Sequence, residues 1–340
     1  MAGKSRAFFV VCGAIQAYFD DGDSVSPMEH FDDALQTFRS ELQHRHETFD
    51  VSTFSAGLLL CTLCLFQGRT WTMFLERMYV LYHLETSLGH LLPEVDHDEA
   101  IQHSIEVISI MDMEPMVIGR VSPSMGVWHR LRKVQEGWIG GKPGGIEIVS
   151  GIPRTLLDII ADIGRLDAHD IEFRLWAWPG DIGRNTQCIL WDCWRYTAVL
   201  DVRRIERNKR KKQAALNIEQ HEPGLGMTAS FPSREIVMCR LASAIYALYR
   251  LLALIGNHQI LVHHGLLYPL VIGSLEVPLL DANPDWKDMF KEIRAGFRKK
   301  ETFRYIRLVD EILDEAWREG TDTFDIEEAA RTRGIEIAVY

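Results

Sequence analysis

PMEHFDDALQTFRSELQHRHETFDVSTFSAGLLLCTLCLFQGRTWTMFLERMYVLY, residues 27–82, holds three helical patterns in succession. In the first, Phe31, Leu35, Phe38 and Leu42 recur at spacings of three and four and line one stripe. The second, Phe54 to Phe66, is apolar at nearly every position, and the third repeats the stripe with Trp71, Phe74, Met78 and Tyr82. An amphipathic helix needs cover on one side; a helix apolar all round needs it on every side. The middle helix is therefore expected at the centre of a packed layer.

The same periodicity continues outward. Phe8, Cys12, Ile15 and Phe19 form a stripe that ends at Asp20-Asp21-Gly22-Asp23. Ser26, Pro27 and Glu29 make a helix start, with Ser26 as the cap. Residues 93–99 read as an acidic loop, Ala100 to Met111 and Trp128 to Trp138 as helices, and the glycine run from Gly140 to Gly145 as a loop. Pro153 opens a helix with Leu156, Ile160, Ile163 and Leu166. Trp191, Trp194, Ala198, Val202 and Ile205 make a long stripe that runs into a basic tail. Gln213 to Pro232 reads as a flexible loop, and residues 206–233 together as an internal basic, flexible segment. Met238, Leu241, Ile245, Leu248, Leu252 and Ile255 form the cleanest helix face. Helices are also expected after Asn283-Pro284, over Ile306 to Ala316, and after Asp325, whose pairing with Glu328 is a capping box. Ile335 to Tyr340 fits a last strand or an extended tail. The expectation is an all-α chain, a large irregular array of about ten to twelve helices in one domain over 1–340, well above the usual helical share. No fixed-period repeat supports a solenoid.

Hydrophobic residues make up 47% of the 340 and charged residues 25%, which suits a globular protein. A net charge of −11 repels phosphate backbones and opposes free-standing nucleic-acid binding. Cys12, Cys61, Cys64, Cys188, Cys193 and Cys239 mostly sit in apolar helical patterns, as free thiols do in a reducing compartment. No run reaches the ~20 apolar residues of a membrane span: Phe54 to Phe66 is short, and Leu241 to Ile255 is short and carries Arg250. No membrane association is expected.

Candidate chemistry is sparse. Cys61 and Cys64 have zinc-ligand spacing, but LLLCTLCLF offers no second pair and no polar loop, so core packing is the better reading. Asp20, Asp21 and Asp23 lack the further carboxylates of a magnesium site and read as a helix stop. The glycine run around Lys142 has no Ser or Thr after the lysine and is not a phosphate loop. His44, His46, His263 and His264 lack metalloprotease spacing, and no glycine-flanked nucleophile elbow occurs. No catalytic residue, metal or cofactor is expected. The densest local signal is Arg203, Arg204, Arg207, Lys209, Arg210, Lys211 and Lys212. Cations at a helix C-terminus are ordinarily favourable, and the same run is a candidate nuclear-localisation segment.

Taken together, SRAFFVVCGAIQAYF (5–19), ALQTFRSELQ (34–43), the stretch from Phe49 to Glu85, GIPRTLLDIIADIGRL (151–166), LLYPLVIGSLEV (266–277), Trp286, DEILDEAWREG (310–320) and ARTRGIEIAVY (330–340) resemble the regulatory domain of fungal zinc-cluster transcription factors, the second of the two large fungal-specific families. The resemblance implies a helical regulatory module in the nucleus that binds protein partners or a small effector, with self-association as a further option. It departs from that family in one respect. The six cysteines are spread from 12 to 239, not clustered at the N-terminus to hold two zinc ions, so the family's DNA-binding residues do not carry over and no sequence-specific DNA binding by this chain alone is expected. Two other readings stay open: an all-α enzyme acting on a hydrophobic, isoprenoid-like substrate in a pocket lined by Trp191 and Trp194, and a non-catalytic scaffold dimerising through Leu266 to Leu280.

Overall fold

A computed structural model describes residues 5–22, 25–44, 50–84, 99–135, 145–215, 231–255, 264–300 and 303–340. Asp23, His46, Lys142 and His263, most of the acidic 93–99 loop and most of the loop expected over 213–232 lie outside them. The described residues form fifteen α-helices and one two-stranded antiparallel ribbon, an all-α fold. The chain divides into two compact units. Unit 1 comprises residues 1–149, 297–310 and 327–338; unit 2 comprises 150–296, 311–326 and 339–340.

Unit 1 is built around α3 (Val51–Phe66), against which α1 (Arg6–Asp21), α2 (Val25–His44), α4 (Thr72–Leu81) and α5 (Glu99–Met111) pack. Phe54, Leu58, Cys61 and Leu65 are buried on one side of α3, and Leu60, Leu63 and Cys64 on others, as an all-apolar helix requires. Each such side chain contributes about 1.5–3 kcal/mol of transfer free energy. Asp50 caps α3 by accepting the Thr53 N–H at 3.0 Å. Glu41 of α2 accepts the Ser5 hydroxyl at 2.8 Å and the Ala7 N–H at 3.0 Å, which fastens the start of α1. α6 (Val127–Gln135) is capped by buried Asp112, which accepts the Val127 and Met125 N–H groups at 3.0 Å and pairs with Arg120 at 2.7 Å.

The ribbon joins β1 (Val117–Ile118) to β2 (Ile337–Ala338), pairing Val117 with Ala338 and Ile118 with Ile337. The expected terminal strand is thus real, and short. The Glu336 carboxylate, wholly buried beside β2, reaches the first turn of α4. It accepts the N–H of Trp71 at 2.6 Å and of Thr72 at 2.7 Å, the Thr72 hydroxyl, and the Val121 N–H at 2.6 Å. An anion at a helix N-terminus is well placed for the exposed N–H groups and the helix dipole.

Gly119 follows β1 with φ +75°, and its N–H donates to Glu327 at 2.7 Å. A Cβ there would lie 2.5 Å from the Ala330 Cβ and 2.6 Å from the Ile335 carbonyl oxygen. Gly119→Ala is expected to cost upwards of about 2 kcal/mol in a urea titration, combining left-handed strain with overpacking. A change below about 0.5 kcal/mol would show that this turn relaxes freely.

Unit 2 contains α7 (Arg154–Ile160), α8 (Ala168–Ala177), α9 (Asn185–Ala215), α10 (Arg234–Ile255), α11 (Leu267–Ser274), α12 (Val277–Ala282) and most of α13 (Pro284–Lys300). α14 (Arg304–Glu319) and α15 (Ile326–Thr332) complete the helices. α9 packs on α8, α10 and α11. Several expectations change here. α7 stops at Ile160, short of the stripe's end, and the turns that follow reach Gly164 at φ +86°. α8 forms where no apolar stripe marks a helix. Residues 206–215 continue α9 as helix and do not begin a loop; Arg, Lys, Glu, Gln and Ala are all good helix formers, and composition there outweighs charge density. Leu266 to Val277, most of the stretch that the alternative scaffold reading gave to a dimer, are buried.

Candidate functional site

The basic run occupies the last turns of α9, and its charges divide into two groups. The first three arginines are engaged inside unit 2. Arg203 pairs with buried Glu172 of α8, its Nε donating at 3.1 Å, and its Nη2 donates to the Pro232 carbonyl at 2.8 Å. Glu172 also accepts the Trp176 indole N–H at 3.2 Å. Arg204 is buried with Asp201 at 2.7 Å, and the other Asp201 oxygen accepts the Tyr268 hydroxyl at 3.1 Å. Burial, reinforced by the Asp201 charge, pushes that hydroxyl well above the usual tyrosine range.

Arg207 enters a four-charge cluster. It meets the wholly buried Glu276 at 2.8 Å, while Arg234 of α10 holds the other Glu276 oxygen. Asp322 closes the cluster, paired with Arg234 and 3.6 Å from Arg207. Burial raises the Asp322 carboxyl, but the hydrogen bond and charge of Arg234, with Arg207 behind it, outweigh burial and hold it below the ordinary aspartate value.

The remaining cations face outward. Lys209 pairs with Glu206 at 3.1 Å, Lys211 donates to the Thr323 hydroxyl at 2.9 Å, Lys212 meets Asp325 at 2.8 Å, and Arg210 is exposed. As a solvent-facing basic surface, the candidate localisation segment therefore reduces to Lys209 through Lys212. Arg203, Arg204 and Arg207 tie α9 to its neighbours.

The indoles of Trp191 and Trp194 are buried and spoken for. Trp191 donates to the Gly151 carbonyl at 2.9 Å, and Gly183 lies so close to its ring that a Cβ would fall 2.3 Å from it. Trp194 donates to the Gly265 carbonyl at 2.7 Å and meets the Tyr268 ring edge-on at 5.3 Å. These are core contacts of α9.

Among the described residues, the ligand atoms of Asp167, His169 and Asp170 come within 4.8 Å of one another. All three are exposed, and Asp167 accepts the N–H groups of His169 and Asp170 as the cap of α8. Asp20 and Asp21 are exposed, and Asp20 accepts the Gln16 amide at 2.9 Å. Cys61 and Cys64 face the interior of unit 1. Burial drives the Cys61 thiol well up, and carries Cys64 to about 12; burial also raises Cys193. Metal ligation and disulfide exchange need thiolate, which these sites oppose. At pH 8 an aromatic disulfide reagent is expected to modify exposed Cys12 and Cys239 in the native chain, and Cys61, Cys64 and Cys193 only on unfolding. Fast modification of Cys61 or Cys64 would contradict this packing.

α10 has a second face beyond its apolar stripe. Its inner face is the expected one: Val237, Met238, Leu241, Ala242, Ile245 and Leu248 are buried. Its outer face is also largely apolar. Arg234–Leu254 is long and apolar enough to cross a membrane by length and composition alone, and only 33% of that window is buried. The expectation that no run reaches such a length is corrected on this helix, since the pattern begins seven residues before Leu241. Arg240 lies over the Trp176 ring at 5.9 Å and Arg250 over the Tyr246 ring at 5.9 Å, both as cation–π contacts.

Comparison with protein-family models, with curated proteins and with solved structures finds no match.

Proposed function

We propose that this chain is the regulatory, non-DNA-reading helical body of a nuclear transcription regulator of the fungal zinc-cluster kind, acting by binding a protein partner or small effector. The single observation that carries the reading is the outer face of α10: a long apolar helix presents Ile236, Tyr246 and Leu254 to solvent, as a surface built for contact does. The net charge of −11 and the inward use of Arg203, Arg204 and Arg207 support a body that does not grip a phosphate backbone. The alternative, an all-α enzyme acting on an isoprenoid-like substrate, draws less support. It needs an apolar cavity at Trp191 and Trp194 with converging carboxylates, and these rings are packed against Gly183 and Tyr268.

Effector control requires two states that differ in affinity for the effector. The test is to fuse the intact chain to an unrelated DNA-binding domain upstream of a reporter, and separately to measure DNA retention by the chain alone. Altered transcription with no sequence-selective retention at physiological salt is the expected pair of results. Nanomolar, sequence-selective retention, or a silent fusion that is expressed and nuclear, would overturn the reading. For localisation, residues 203–212 fused to a cytoplasmic reporter are expected to carry it into the nucleus; retention in the cytoplasm would remove that support.

A further inference from the structure

We infer that the outer face of α10 docks an acidic amphipathic helix of a partner protein. The inference rests on the reading of the chain as a partner-binding body and names the chemistry of that partner. The exposed positions of α10 fall on one side. Ile236, Cys239, Ser243, Tyr246, Arg250 and Ala253 follow one another at spacings of three and four, with Arg240, Ala247 and Leu254 beside them. At 3.6 residues per turn they lie within about 140° of the circumference. A helix at a protein surface ordinarily turns charged and polar groups outward. Beyond its first turn this one turns outward only two charges, both positive, and among the described residues neither Arg240 nor Arg250 is paired with a carboxylate.

The shape of the face favours a helix. Cys239, Ser243 and Ala247 make a shallow centre, which lets a second helix approach to the short end of the usual 8–10 Å interaxial range. Ile236 and Leu254 stand at the two ends, about 27 Å apart along the axis, and Leu254 is 83% exposed. A helix lying in a lipid interface would instead carry bulky apolar groups along its whole length, whereas Tyr246 is the one large apolar side chain exposed between Ile236 and Leu254 on this helix.

Charge separates a foreign partner from a second copy. An antiparallel pair of α10 helices that sets Ile236 against Leu254, and Ser243 against Ala247, also sets Arg240 against Arg250. A parallel pair sets each arginine against itself. Both arrangements oppose like charges across an apolar seam with no carboxylate to relieve them, which is destabilising. A partner helix with apolar residues along one stripe and Glu or Asp beside it meets both arginines with opposite charge.

The probe is a labelled 21-residue helical peptide, roughly three heptads, with Leu at a and d and Glu at e and g, compared with its twin carrying Lys at e and g. Fluorescence anisotropy against the full chain is expected to show the Glu peptide binding roughly tenfold or more tightly than the Lys peptide, about 1.4 kcal/mol of discrimination. The R240E/R250E chain is expected to reverse that preference. Both substitutions are on the exposed side and give up only one cation–π contact each, so thermal melts should fall slightly with the fold kept; if that variant unfolds, R240Q/R250Q should abolish the preference instead. Equal binding of the two peptides, no binding of either, or an unchanged preference in a folded variant overturns the proposal. So does a concentration-dependent dimer disrupted by Ser243→Glu, which assigns the face to a second copy. Binding to vesicles of phosphatidylcholine and phosphatidylserine without peptide binding overturns it in favour of a lipid surface. These outcomes are read on purified protein and stand apart from the reporter fusion.

Discussion

Replacing Glu336 with Leu is expected to lower the unfolding free energy by about 4 kcal/mol, more than a typical core truncation of similar size. The carboxylate is wholly buried, and both its oxygens are used: one by the N–H groups of Trp71 and Thr72, the other by the Thr72 hydroxyl and the Val121 N–H. Leucine removes every acceptor and strands the donors, each of which carries a desolvation penalty of about 1–3 kcal/mol, offset in part by relaxation and by water. Glutamine is not a mild substitute here. Its amide NH2 would face donors on whichever side it turned, so Glu336→Gln is expected to lose about half as much. Thr72→Ala, which removes one donor to the carboxylate and strands the Ser122 N–H that the hydroxyl accepts at 3.1 Å, should cost about 2 kcal/mol. Urea titrations of the three variants decide the matter. A loss below about 1 kcal/mol for Glu336→Leu would show that the latch between β2 and α4 is incidental to unit 1.

The second large effect lies in unit 2. Glu276→Leu is expected to cost about 3–5 kcal/mol, because Arg207 and Arg234 would both keep partly buried charge with the shared carboxylate gone. The companion experiment replaces the shared carboxylate and both arginines, leaving only the partly exposed Asp322. Glu276→Leu combined with Arg207→Met and Arg234→Met should recover most of the loss, since an intact buried ion cluster and a well-packed apolar substitute are often close in free energy. Failure of the combined variant to recover would mean that the arginines hold α9 and α10 by more than this carboxylate. The neighbouring Asp322 supplies a pH signature. Its folded-state value is held below its unfolded one, so its contribution is complete above the unfolded value near about 4 and is lost as pH falls through the lower folded value. Asp322→Asn should therefore flatten the acid limb of the stability curve and leave the response to alkali unchanged.

Fold class was legible in residues 51–66, because a helix with no polar side has only one place to be. The terminal strand was legible in the alternation after Gly334, and the capping box at Asp325 marked α15 to within a residue. The division into two units was not. Residues 297–310 and 327–338 belong with the N-terminal portion, and a linear pattern does not reveal which distant segments share a core. The basic run misled in an instructive way. Charge density suggested an exposed loop, yet Arg203, Arg204 and Arg207 find Glu172, Asp201, Glu276 and Asp322, of which three lie 31 or more residues away in sequence. Sequence alone does not show which carboxylate folding will bring to which arginine. The outer face of α10 is legible in its sequence. The stripe 238, 241, 245, 248 explains only one side of that helix, and the remaining positions, Ile236, Tyr246 and Leu254 among them, are too apolar for a solvent face.

The central claim is that Arg203, Arg204 and Arg207 of α9 are framework, held by internal carboxylates, with Lys209 to Lys212 continuing the same helix at the surface, while the contact surface lies on α10. Hydrogen exchange of the intact chain, read by mass spectrometry, tests it most directly. Expected is slow exchange through residues 203–212, matching the preceding turns of α9, with further slowing confined to α10 when the glutamate-bearing peptide is added. Exchange of 203–212 at the rate of an unstructured chain would contradict it.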